Sequence, residues 1–137
     1  MRLDGEDWLV GLEKPVDSGS SNNPLQLIIR LENKAIATSG NYRKFTIVDG
    51  KKYAHQMDPK TGFPTINTLL SVSVIADDCI TADAYATALC VMGLEKAQEF
   101  LAAHREIEAY LISSNEDGSY MIFQGALFDA YVADYGE

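Results

Sequence analysis

Residues 68–92 read Thr68-Leu-Leu-Ser-Val-Ser-Val-Ile-Ala76-Asp-Asp-Cys-Ile-Thr-Ala-Asp83-Ala-Tyr-Ala-Thr87-Ala-Leu-Cys90-Val-Met92. The first third is rich in β-branched residues and predicts a central strand over 68–76. The remainder is long, apolar and rich in alanine, which predicts a buried helix over 79–92. Asp77, Asp78 and Thr81 are the candidate caps between the two. Asp83 is the single charge in that helix, and Thr87 follows it by four positions. Residues four apart share a helix face, so a carboxylate and a hydroxyl are aimed together out of an apolar rod. A buried carboxylate is costly unless it is paired, hydrogen-bonded or bound to a metal. The spacing therefore predicts something opposite Asp83.

Working outward, residues 8–12 alternate in a short strand-like run, and 15–24 form a polar loop. Residues 25–31 predict a strand with Leu25, Leu27, Ile29 and Leu31 on one face. A further strand covers 34–38, with Ser39-Gly40-Asn41 breaking it. Asp49-Gly50 separates two strand-like runs, 42–48 and 51–57, which is a strong hairpin signal. Residues 58–65 are a loop with two prolines and a glycine. Beyond Gly93, residues 94–105 predict a second helix with Leu94, Ala97, Phe100 and Leu101 inward. Residues 107–113 and 120–124 predict a second hairpin, and the tail 126–135 fits no single element. This order of strands, helices and strands predicts one α+β domain over 1–137, with an antiparallel-rich sheet, hairpins and two helices between strands.

The 137 residues suit one domain, and 47% are hydrophobic, enough for a core. A formal charge of −9 speaks against a nucleic-acid binder, which needs a basic surface. A phosphorylated ligand remains open to an acidic chain if a metal ion or backbone N–H groups meet the phosphates. Cys79 and Cys90 are eleven helical residues apart, roughly 16 Å along the axis. A disulfide needs Cα atoms within about 7 Å, so two thiols are expected. Their spacing fits no zinc motif. The first residues do not read as a signal peptide, and no segment is apolar enough to span a membrane.

Three constellations offer chemistry. Asp83 and Thr87 present oxygen donors suited to Mg²⁺ or Ca²⁺. The competing reading is structural: with Thr81 as the cap, Asp83 lies in the first turn and complements the helix dipole, while Thr87 bonds back to its own helix. The second constellation is His55-Gln-Met57-Asp58-Pro-Lys-Thr61-Gly-Phe-Pro64. It reads either as a ligand loop, with His55 as a base and Asp58 as its orienter or a metal partner, or as a plain Asp-Pro turn. The third, Thr38-Ser39-Gly40, allows close approach of a ligand to the backbone, or is an ordinary strand end. His104 reads as a surface residue at the end of the second helix.

Four segments together resemble the C-terminal half of the ApbE-type flavin transferases, a family first described as thiamine-biosynthesis lipoproteins. They are Ala35-Ile-Ala-Thr38-Ser39-Gly40-Asn41-Tyr42, His55-x-x-Asp58-Pro59-x-Thr61-Gly62-x-Pro64, Ser71-Val-Ser-Val74 and Ala82-Asp83-Ala-x-Ala-Thr87-Ala-Leu89. The resemblance runs from about Trp8 to the end of the second hairpin and implies an ApbE-like, T-fold-related α+β fold. It implies Mg²⁺-dependent transfer of FMN from FAD to a threonine or serine of a target flavoprotein, with release of AMP. It assigns Asp83 and Thr87 as metal ligands and His55 and Asp58 as catalytic. Thr38, Ser39, Gly40, Met57 and Thr61 fall to the FAD pocket. Asn41 stands where the family usually carries an acidic residue, so a metal or base role there does not carry over. The family's N-terminal half is not matched, so the site is expected to be incomplete in this chain. A homodimer would then be one way to cover the edges. Family members are often periplasmic or membrane-anchored lipoproteins. The alternative to an enzyme is a non-catalytic module of the same family that binds flavin nucleotide or a protein partner.

Overall fold

A computed structural model describes residues 5–15, 25–40, 45–48, 51–54, 56–65, 68–115 and 117–133, with backbone alone at 45–48 and 51–54. Strands β1 (Trp8–Glu13) and β2 (Leu25–Leu31) form an antiparallel pair. Strand β3 (Ala35–Gly40) joins a four-stranded sheet with β6 (Leu69–Ala76), β7 (Glu108–Ser114) and β8 (Tyr120–Gln124), in the order β3-β6-β7-β8. Between them in sequence, β4 (Phe45–Val48) pairs with β5 (Lys51–Ala54), Val48 opposite Lys51. The pairing of these two strands bears out the predicted hairpin; Asp49 and Gly50 lie outside the described residues. All pairings are antiparallel.

Strand β6 is hydrogen-bonded on both sides and buried along its length except at Leu70, which confirms the central strand. Alternation sorts its side chains into two layers. Val72, Val74 and Ala76 face the helices, together with Ala109 and Leu111 of β7. Ile75, with Tyr110 and Ile112 of β7, faces the β1–β2 pair and packs on Leu12, Ile29 and Leu31. The tail, which fits no single element in sequence, is a short 3₁₀-helix (Phe128–Tyr131) whose Phe128 is fully buried in this second layer. Val132 then bridges to Ile29. The helices thus pack on one face of the four-stranded sheet and the β1–β2 pair on the other.

Helix α1 (Cys79–Met92) begins where Asp78 accepts the Thr81 N–H at 2.8 Å. Asp78 is thus the cap. That hydrogen bond also holds its carboxyl below the usual carboxylate range. Gly93, at φ 81°, closes the helix and returns its N–H to the Leu89 carbonyl. Helix α2 (Leu94–Ala103) follows at once and ends two residues earlier than predicted, with His104 as its cap. The His104 ring stacks on Phe100 and meets Glu106 at 2.9 Å.

Two expectations are corrected. Strand β3 runs through Ser39 and Gly40, which pair with Val72 and Ser71. Pairing to the central strand overrides the local break signal. Helix α1 is not buried all round: it buries the stripe Ala82, Ala86, Leu89 and Cys90, and Asp83 and Thr87 are exposed. Alanine is small enough to face water at little cost, so an alanine-rich run does not identify the packed face. The desolvation argument for a partner opposite Asp83 therefore falls. No helix among the described residues is long and apolar enough to cross a membrane.

Candidate metal and nucleotide site

Asp83 is the fifth residue of α1, beyond the first turn that the dipole reading requires. Asp83 and Thr87 lie side by side on the open flank of the helix. Thr87 Oγ1 and Ser39 Oγ are 3.0 Å apart, so the hydroxyl is engaged across to β3. The Asp83 carboxylate has no hydrogen bond or ion pair to another side chain among the described residues.

Facing this flank is the 56–65 loop, which folds as a tight hairpin. The Thr65 N–H bonds the Gln56 carbonyl at 2.9 Å, and the Asp58 N–H bonds the Phe63 carbonyl at 2.9 Å. Met57 bridges to Pro64 between them. Asp58 Oδ1 accepts the Lys60 N–H at 2.8 Å and the Asp58 carbonyl accepts the Gly62 N–H at 2.8 Å. Gly62 has φ 72°, a backbone shape that favours glycine. Asp58 therefore holds its own turn, as the plain Asp-Pro reading describes. Thr61 Oγ1 likewise accepts the Phe63 N–H at 3.3 Å.

Helix and loop enclose an open groove of about 710 Å³. Met57, Asp58, Pro59 and Lys60 form one wall; Asp83, Ala84, Thr87, Ala88, Val91 and Met92 form the other, with Lys96 of α2 at one end. The groove combines two oxygen donors on one helix face, an exposed methionine and two lysines in an acidic chain. That set suits an elongated ligand with an apolar part and an anionic part.

The structure thus brings Asp83, Thr87, Met57 and Asp58 to one groove, with Ser39 touching its edge. Thr61 sits on the same loop but does not line the groove. Gly40 ends β3 against Ser71. Thr38 points the other way: its Oγ1 is 2.8 Å from Ser73 Oγ, and it lines a separate cavity of about 300 Å³ with Leu12, Tyr110 and Ile112 on the hairpin side. Adjacent strand residues face opposite sides, so Thr38 and Ser39 cannot share one surface. His55 and Asn41 lie outside the described residues. Motif reading missed Lys60, Lys96 and Gln56. Alternation would have found Gln56, since it must face opposite to Met57 and hence inward.

The ApbE family model matches residues 2–111. The chain belongs to the ApbE family. Among its ApbE relatives is the FAD:protein FMN transferase of Vibrio cholerae, 42% identical over 119 residues, which make up 86% of this chain and 34% of that protein. The FAD:protein FMN transferase of Escherichia coli strain K12 is 36% identical over 132 residues, covering 96% of this chain and 36% of that protein. The fold agrees with solved ApbE structures. The flavin transferase ApbE from Vibrio cholerae superposes with a TM-score of 0.78 at 36% identity, covering 96% of this chain and 40% of that one. The Thermotoga maritima ApbE protein gives 0.77 at 28% identity, covering 97% and 40%. The chain spans about a third of the length of the curated ApbE relatives it matches.

Proposed function

We propose that this chain carries the metal- and pyrophosphate-facing part of an FAD:protein FMN transferase. One observation carries the reading: Asp83 and Thr87 share a groove with Met57 and Asp58, in a chain whose relatives bear that name. In the proposed reaction the whole FMN moiety passes, through its phosphorus, from FAD to a threonine or serine hydroxyl of a target flavoprotein. The bond to the AMP phosphate breaks, a new phosphoester bond forms, and the hydroxyl gives up its proton to a base.

The donor set fits Mg²⁺. Asp83 offers an exposed anionic oxygen and Thr87 a neutral one, both hard. Among the described residues no three His, Cys, Asp or Glu side chains cluster. Such a sparse set suits an ion that keeps water and phosphate oxygens in its shell, as Mg²⁺ does. When bound, Mg²⁺ neutralises charge on the phosphoryl oxygens. Ser39 keeps Thr87 oriented through the 3.0 Å contact. Met57, half exposed, offers a soft apolar surface to the flavin ring. Lys60 and Lys96 add positive charge at the groove, where the anionic ligand would lie. Asp58 shapes the loop through Lys60, and proton acceptance falls to His55.

The test incubates the chain with FAD, Mg²⁺ and a peptide containing an acceptor threonine. A second arm supplies the N-terminal part of an ApbE relative in trans. A peptide mass gain equal to FMN less one water, lost in Asp83→Ala, supports the proposal. No transfer and no FAD binding in either arm leaves the non-catalytic module as the better reading. Light scattering in the same samples decides whether the chain is a homodimer.

A further inference from the structure

Gln56 is 6% exposed at the base of the hairpin loop. Its carbonyl receives the Thr65 N–H and, at 3.4 Å, the Thr65 hydroxyl. Its side chain turns inward, and Oε1 accepts the thiol proton of Cys90 at 3.0 Å. Cys90 is fully buried on α1, three residues beyond Thr87 and seven beyond Asp83. This contact therefore ties the loop stem to the helix that carries the proposed metal ligands. Burial pushes the Cys90 thiol up to about 11, with the Gln56 hydrogen bond opposing that rise, so the sulfur keeps its proton at neutral pH.

We infer that Gln56 and Cys90 are positioning residues: their buried hydrogen bond fixes the Met57–Asp58 edge of the groove against the Asp83–Thr87 face. The reasoning is mechanical. Beyond Gln56 the loop is held by its own backbone bonds, so it moves as a unit. Setting the stem sets the whole wall. A buried carbonyl oxygen that loses its donor is left unsatisfied, which favours swinging the stem outward to water. The assignment of a function to that wall rests on the transferase reading; the latch itself does not.

The test measures hydrogen exchange at the Asp58, Gly62 and Thr65 amides in the full chain without ligand. Amides of the β6–β7 ladder serve as the internal standard. In Cys90→Ala the loop amides exchange about tenfold faster relative to the ladder. Cys90→Ser, which keeps a donor, retains most of the protection. Gln56→Met, which keeps the bulk and loses the acceptor, behaves like Cys90→Ala and serves if that variant does not fold. Loop exchange at the wild-type ratio in both Cys90→Ala and Gln56→Met overturns the latch. With FAD and Mg²⁺, the same variants raise the KM for FAD by more than they lower kcat. If the parent chain shows no FAD binding or transfer, the transferase reading fails while the exchange result still decides the latch.

Discussion

Ser39 of edge strand β3 and Thr87 of helix α1 meet through their hydroxyls at 3.0 Å. The contact joins two motifs that are 48 residues apart in sequence. It fixes the rotamer of one proposed metal ligand and leaves its neighbour, Asp83, open to the groove. Removing Ser39 should thus weaken Mg²⁺ binding without deleting a ligand. Ser39→Ala is expected to weaken it roughly 10–100-fold, the range for partners that orient a ligand. Asp83→Ala should exceed that loss. Because Asp83 is exposed and has no side-chain hydrogen bond or ion pair among the described residues, its replacement should leave stability within about 0.5 kcal/mol. Mg²⁺ titration and urea unfolding of both variants check the pair of expectations.

Asp58 separates shape from chemistry. Its Oδ1 accepts the Lys60 N–H, which an asparagine oxygen can also do. Asp58→Asn should keep the turn and, if the carboxylate only shapes the loop, keep most of the transfer activity. Asp58→Ala should lose the turn contact and raise exchange at Lys60. A collapse of transfer in Asp58→Asn with the loop intact would instead assign the carboxylate a direct part in the chemistry. Parallel kinetic and exchange measurements distinguish the two.

Much of the fold was legible in the sequence because its signals were local. A period-two run marked β2, a β-branched run marked β6, Asp49-Gly50 signalled the β4–β5 pair, and Asp78 was among the candidate caps. What was not legible depended on partners far away in sequence. Nothing local shows that β3 extends through Gly40, since Ser71 and Val72 hold it there. The exposure of Asp83 was hidden by alanines, which fit either a packed or a wet face. The motif residues of the site were recognisable, but their sides were not: Thr38 and Ser39 are neighbours that serve opposite faces of the sheet. Gln56 and Cys90 carry no motif, and only the folded chain brings them together.

The cap of α1 gives a pH dependence with a defined sign. The Asp78 carboxyl sits below its ordinary range because it accepts the Thr81 N–H and hydroxyl. A carboxyl lowered on folding adds stability that is fully present above its unfolded value of about 4. That contribution is lost as pH falls through the lower folded value. Asp78→Ala should therefore lower the Tm at pH 7, and its deficit relative to the parent should shrink in acid below about pH 4. Thermal unfolding followed by circular dichroism across pH 2–7 measures this; a deficit that does not change with pH would remove the carboxylate from the cap.

Gly125 has a packing role far from the groove. A Cβ there would collide with Glu108 Oε2 and lie 3.3 Å from the Ala109 backbone nitrogen. Glu108 is 8% exposed, and the same oxygen accepts the Leu127 N–H at 3.2 Å, holding the turn that leads into the 3₁₀-helix. Gly125→Ala should expel the carboxylate, break that bond and loosen Phe128 in the layer beneath β1 and β2. The expected cost is about 1–3 kcal/mol, from overpacking and a lost buried hydrogen bond. Glu108→Gln in the Gly125→Ala background should recover little, because the clash is steric and the amide is as large as the carboxylate. Urea unfolding of the single and double variants checks both statements, and Mg²⁺ titration of each should match the parent, because the Asp83–Thr87 groove is built from other elements.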